Sequence, residues 1–168
     1  MISQNSRLER YFNDYAQYHR TSGNRLTHLM GIPLIMISVL SWLSRVWIIR
    51  PEIWATQGSP LSLVRWDLGV ATVIVVTIYY LLLNWRLALT FGLVIYGFYW
   101  LGRPLSHPMV WIFFIVGWVL QFYGHIHYEK RSPAFLTSVE HLLIGPFWIF
   151  AKSVQAIETT SPVPNDGA

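Results

Sequence analysis

Four apolar runs divide the chain, covering residues 28–49, 68–83, 87–101 and 108–123, and only Arg45 interrupts the first. A helix that crosses a bilayer needs about 20 largely apolar residues, within a range of roughly 17 to 25. The first run meets that length outright. The other three reach it by recruiting Trp66, Trp85 and their own aromatic ends, residues that suit the interfacial belt. A fifth run, residues 141–150, is too short to span and carries Gly145-Pro146 at its middle, so it reads as an interfacial or re-entrant segment. The pattern predicts an all-α integral membrane bundle of about four transmembrane helices, with interfacial helices at the N-terminal and C-terminal ends. Residues 1–158 form one domain. Residues 159–168, with two Pro, a Gly and no apolar period, form a disordered tail. Residues 51–65 make the longest connection between spans.

Composition strengthens this picture. Of 168 residues, 54% are hydrophobic and 12% charged, with nine each of Trp, Tyr and Phe. Soluble domains carry about 25% charged residues. A chain this small cannot bury so much apolar surface in one soluble core. The absence of Cys excludes disulfide frameworks, zinc ribbons, iron–sulfur clusters and thiol catalysis. The polar stretch 1–27 offers no apolar core for a signal peptide.

The net charge of +4 raises the question of nucleic acid, but the basic residues scatter among apolar runs and form no phosphate-binding face. They read instead as topology signals. With the N-terminus inside, the inner segments hold Arg7, Arg10, Arg20, Arg25, Arg86, Lys130, Arg131 and Lys152. The outer ones hold Arg45, Arg50, Arg65 and Arg103. Eight against four places both termini in the cytoplasm, for a protein of the bacterial inner membrane or the endoplasmic reticulum.

Candidate chemistry lies in the histidines. In a four-span arrangement His19, His28, His125, His127 and His141 gather at one membrane face, and His107 alone lies in the opposite loop. Ionisable groups at a membrane boundary are functional candidates by default. His125 and Glu129 stand four apart, so on a continuing helix they share a side, and an imidazole with a carboxylate suits a divalent cation. His127 would face away on the same helix. The spacing of His19 and His28 fits no single helix face. Ser22-Gly23-Asn24 suggests a break between them, with Asn24 capping the helix that carries His28. Asn84-Trp85-Arg86 reads as an interfacial turn, and interfacial His107 as a solvated or hydrogen-bonding residue rather than a ligand.

Two motifs carry a resemblance. Tyr18-His19 is followed by Asn24-Arg25-Leu26-Thr27-His28 and Pro33. Later come Gln121-Phe122-Tyr123-Gly124-His125 and Glu129-Lys130-Arg131-Ser132-Pro133-Ala134. In this order and combination, over roughly residues 8–150, the chain resembles the Mpo1-like family. The resemblance implies iron(II)-dependent removal of one carbon from a 2-hydroxy fatty acid with O₂, as in sphingoid-base degradation. It also implies that His19, His28, His125 and Glu129 are the catalytic and Fe(2+)-binding residues. His127 and His141 fall where the motif does not demand His.

The chemistry suits these residues. Iron(II) held by few protein ligands keeps positions open for O₂ and a substrate chelating through carboxylate and hydroxyl. The substrate then supplies the reducing electrons, and no 2-oxoglutarate, flavin or haem is required. Arg20, Arg25, Lys130 and Arg131 are candidates to neutralise the carboxylate, although Lys130 and Arg131 read first as topology signals. Two other classes use the same residues: a non-enzymatic four-span protein that binds lipid or a partner, and a bis-His haem carrier.

Overall fold

The computed structural model describes residues 6–49, 66–131, 133 and 140–160. The connection at 51–65 and the tail from Ser161 onward lie outside the described residues. Helix α1 (Ser6–Gln17) leads into α2 (Ser22–Leu43), and strands β1 (Trp47–Ile49) and β2 (Trp66–Asp67) follow. Then come α3 (Leu68–Leu81), α4 (Trp85–Gly102) and α5 (His107–Tyr123). Helix α5 runs on into a π-helical turn, Gly124–Glu129, and α6 (Glu140–Thr160) closes the order.

The four apolar runs are helical, with shifted bounds. The first helix begins six residues earlier than the apolar run and ends at Leu43 rather than Ile49. At its N-terminus Thr21 is extended, and its hydroxyl accepts from Asn24 N–H at 3.3 Å. At its C-terminus Ser44 Oγ and Arg45 Nε turn back onto the Ser41 carbonyl. Trp47–Ile49, free of the helix, pairs antiparallel with Trp66–Asp67, so the fold is not wholly α-helical. Asp67 and Asn84 cap α3 and α4 by accepting from Val70 N–H and Leu87 N–H, each at 3.0 Å. Asn84 therefore starts a helix, beyond marking an interfacial turn.

Length decides which helices can span. Helices Ser22–Leu43 and His107–Glu129, 22 and 23 residues, are long and apolar enough to cross a membrane. Leu68–Leu81 is apolar, but at 14 residues it rises only about 21 Å against a hydrocarbon core of about 30 Å. Two of the four expected spans thus have spanning length and composition. Many large apolar side chains on α2 to α5 face outward, among them Val75, Leu93 and Val119. An apolar exterior of this extent marks an interaction with lipid or a partner.

The C-terminal run departs most from expectation. It is a 21-residue helix that tolerates Pro146 and buries Ile144, Phe147, Trp148, Ile149 and Ala151 in the core. Phe147 stacks on Tyr80 at 4.4 Å, and Tyr80 O–H donates to the Leu143 carbonyl at 2.6 Å. The helix also runs through Thr160, past the domain boundary expected at 158. Helix α1 joins the same core through Leu8 and Tyr15, so both terminal helices roof the bundle end.

Helices α2 and α5 make the closest contact, because Gly31 and Gly117 let the backbones touch. A Cβ at Gly31 would lie 2.8 Å from the Gly117 carbonyl oxygen. Small residues serve this purpose between membrane helices. At the site end Gly124 continues the seam, where Thr27 Oγ1 and Asn24 Oδ1 occupy the space a Cβ would need.

Candidate metal centre

His19 lies in the break between α1 and α2, His28 on the second turn of α2, and His125 in the π-helical turn. The break falls at residues 18–21, earlier than Ser22-Gly23-Asn24, because Thr21 takes the capping role and Asn24 is already helical. Asn24, fully buried, has a different task. Its Nδ2 donates to the Tyr18 carbonyl and to Glu129 Oε1, each at 3.3 Å.

All three imidazoles are 2% exposed, and each offers a ring nitrogen within 4.8 Å of the others. The backbone fixes two of the tautomers. His19 Nδ1 donates to the Tyr15 carbonyl at 2.8 Å, and His28 Nδ1 donates to the Asn24 carbonyl at 2.9 Å. A carbonyl only accepts, so both rings carry their proton on Nδ1 and leave a lone pair on Nε2. Those two Nε2 atoms stand 3.1 Å apart. Two lone pairs at hydrogen-bond distance repel unless a proton or a cation lies between them.

A proton is the poorer choice. Burial pulls the His19 imidazole down from its usual range to about 4, against the smaller upward pull of the Tyr15 carbonyl. His19 therefore stays neutral at physiological pH, the form that binds metal. A cation fits the spacing: two nitrogens about 2.1 Å from one ion and at right angles to each other sit about 3 Å apart. His125 Nδ1 is also buried without a hydrogen-bond partner among the described residues, a lone polar atom that a metal would satisfy. The carbonyls behind His19 and His28 are the outer partners that orient metal-binding imidazoles. Tyr15 stacks on His19 at 3.9 Å and 11°, holding the ring from behind.

Glu129 is placed differently. Thr21 N–H and Thr21 O–H donate to its Oε1 at 2.8 and 2.9 Å, so the carboxylate faces the α1–α2 turn. The expectation that it shares a side with His125 assumed a continuing α-helix. The turn is π-helical instead, and the Glu129 carboxylate is held by Thr21 and Asn24 rather than left free beside His125. Lys130 closes this turn in the left-handed region, at φ 52°.

The other histidines separate cleanly. His127 is exposed and stacks on Tyr123 at 4.9 Å. His141 lines the neighbouring cavity and donates from Nε2 to Asp14 Oδ2 at 2.8 Å. His107 is exposed at the far end of α5 and accepts from Arg45 Nη1 at 2.8 Å. Arg20, Arg25, Lys130 and Arg131 are all exposed.

An apolar cavity of about 350 Å³ opens from the three imidazoles into the bundle. Ile32, Ile35, Met36 and Val39 line it from successive turns of α2, with Phe114 and Trp118 opposite on α5. Sequence reasoning missed this cavity. Its wall residues look like any buried face, and only the packing shows that they enclose space.

The place of Glu129 makes a prediction. Glu129→Ala leaves the Thr21 donors without their acceptor and loosens the turn that carries His19. Metal affinity should fall about 10–100-fold, with rate recovered at saturating metal. Glu129→Gln, whose amide oxygen still accepts, should stay close to wild type in a metal titration. A glutamine variant as damaged as the alanine one, with no recovery, would show that the charge itself binds metal.

Comparison with known proteins agrees with this region of the chain. The family model described as 2-hydroxy-palmitic acid dioxygenase Mpo1-like matches residues 5–106 and 104–157. The chain is 31% identical over 137 residues to 2-hydroxy-palmitic acid dioxygenase MPO1 of Saccharomyces cerevisiae, an overlap of 80% of this chain and 72% of that relative. No solved structure matches the chain.

Proposed function

The chain belongs to the Mpo1-like family, and from that premise we propose that it is a membrane-embedded, iron(II)-dependent dioxygenase that shortens 2-hydroxy fatty acids by one carbon. The observation that carries the metal is the pair of Nε2 lone pairs 3.1 Å apart, with the buried His125 ring beside them offering a third nitrogen within 4.8 Å. His19, His28 and His125 would hold the ion. Iron(II) in such a site supplies open positions for O₂ and for a chelating 2-hydroxy acid.

The chain's own residues do the rest. Met36 and its neighbours on α2 give the acyl tail an apolar wall, which from His28 to Leu40 extends about 18 Å. That wall keeps bulk water from the imidazoles. Tyr15 and Trp148 cover His19 from the α1 and α6 side. Exposed Arg20 and Arg25 attract the carboxylate at the bundle end. Both termini are proposed to be cytoplasmic, with this end of the bundle at the cytoplasmic boundary. Overall, R–CHOH–COOH and O₂ give R–COOH, CO₂ and water. The four electrons that reduce O₂ come from the first two carbons of the substrate, so no second reductant is needed.

The test supplies purified, iron(II)-loaded protein with a 2-hydroxy C16 acid and O₂. A C15 acid is the expected product, and unchanged substrate would refute the assignment. Met36→Trp, which fills the cavity two turns beyond His28, should keep its iron and still shorten an acid of about eight carbons. It should lose at least about tenfold on the C16 acid, because the tail no longer fits. Equal rates on both acids would place the acyl chain elsewhere.

A further inference from the structure

Gln121 is 5% exposed, one helical turn before His125, and lines the cavity. Its Nε2 is buried with no acceptor among the described residues. The side chain is hemmed in: a Cβ on Gly31 would lie 2.5 Å from Nε2. A buried carboxamide with an unmet donor is costly where an apolar residue of similar size would be accepted.

Two other hydroxyls that line the cavity are committed to backbone. Thr72 O–H donates to the Leu68 carbonyl at 2.7 Å, and Tyr80 O–H to the Leu143 carbonyl at 2.6 Å. The carboxamide of Gln121 lies on the last turn of α5, about 6 Å along the helix axis before His125, between the imidazoles and the apolar wall. An acid that places its carboxylate at the imidazoles and its tail along α2 points its second carbon toward this side of the cavity.

We infer that Gln121 bonds the 2-hydroxyl of the chelating substrate and so sharpens the preference for 2-hydroxy over unsubstituted fatty acids; this rests on the dioxygenase reading above. A carboxamide both donates and accepts, and so does a hydroxyl. A site built to bond a hydroxyl rejects the analogue that lacks it, because its own polar group is left unpaired.

The test is equilibrium binding, without O₂, of radiolabelled 2-hydroxy C16 acid and unsubstituted C16 acid to iron(II)-loaded protein. Wild type should prefer the hydroxy acid. Gln121→Leu and the better shape match Gln121→Met should keep their iron. Both should weaken hydroxy-acid binding about tenfold and leave the unsubstituted acid within about twofold. Equal weakening for both acids, no change for either, or loss of iron in both variants would overturn the inference. Wild type that shows the preference yet shortens neither acid in O₂ would instead count against the dioxygenase reading alone.

Discussion

His28→Ala and His125→Ala should each yield a folded, membrane-inserted protein without stoichiometric iron and with turnover at least about 100-fold below wild type. Loss of the outer partners of a metal ligand already costs about 10–100-fold, and loss of a ligand itself costs more. Removing either ring leaves two imidazoles in a buried site that was closed by three. His19→Ala should behave alike and also leave Tyr15 without its stacked partner. His107→Ala, at the far end of the bundle, should match wild type in metal content and rate. Wild-type turnover in both His28→Ala and His125→Ala would remove the metal site and favour a lipid-binding role.

The second large effect is expected at Gly124, which contributes no ligand atom but directly precedes His125. Thr27 and Asn24 fill the space that a side chain at 124 would require. Gly124→Ala should therefore push the π-helical turn off α2 and separate His125 from His28. Overpacking of this kind costs about 1–3 kcal/mol. Metal affinity should fall by about 10–100-fold, as for other losses of ligand orientation. Gly97→Ala is the control, because nothing lies within 4 Å of a Cβ there. Thermal unfolding in detergent and a metal titration check both. A Gly124→Ala protein as stable and as metal-avid as wild type would mean that the seam between α2 and α5 does not set the site.

The sequence shows the helices because each apolar run is bounded by its own caps and breakers. The ends move where side chains compete: Thr21 outbids Asn24 for the N-cap, and Trp47–Ile49 leaves the helix to pair with a second strand. Three of the four expected site residues, the imidazoles, are brought together, and His19 and His28 are legible as two rings flanking a break. The orientation of Glu129 is not legible, since a π-helical turn has no periodic signature within the run Gly124–Glu129. Nor is the role of residues 140–160. Pro146 marks a breaker in a short apolar run, yet the helix passes through it under the packing of Phe147 and Trp148.

Membrane embedding has the same mixed status. The outward apolar residues follow from composition, and two helices have spanning length. Leu68–Leu81, at 14 residues, is shorter than the hydrocarbon core, and tilt would only reduce its reach.

The most direct measurement is the metal content and visible spectrum of the purified wild-type protein. Three buried imidazoles with two opposed lone pairs predict one iron per chain, no Soret band, and loss of that iron in His28→Ala. A Soret band, or metal-free protein that shortens a 2-hydroxy fatty acid at full rate, would contradict it.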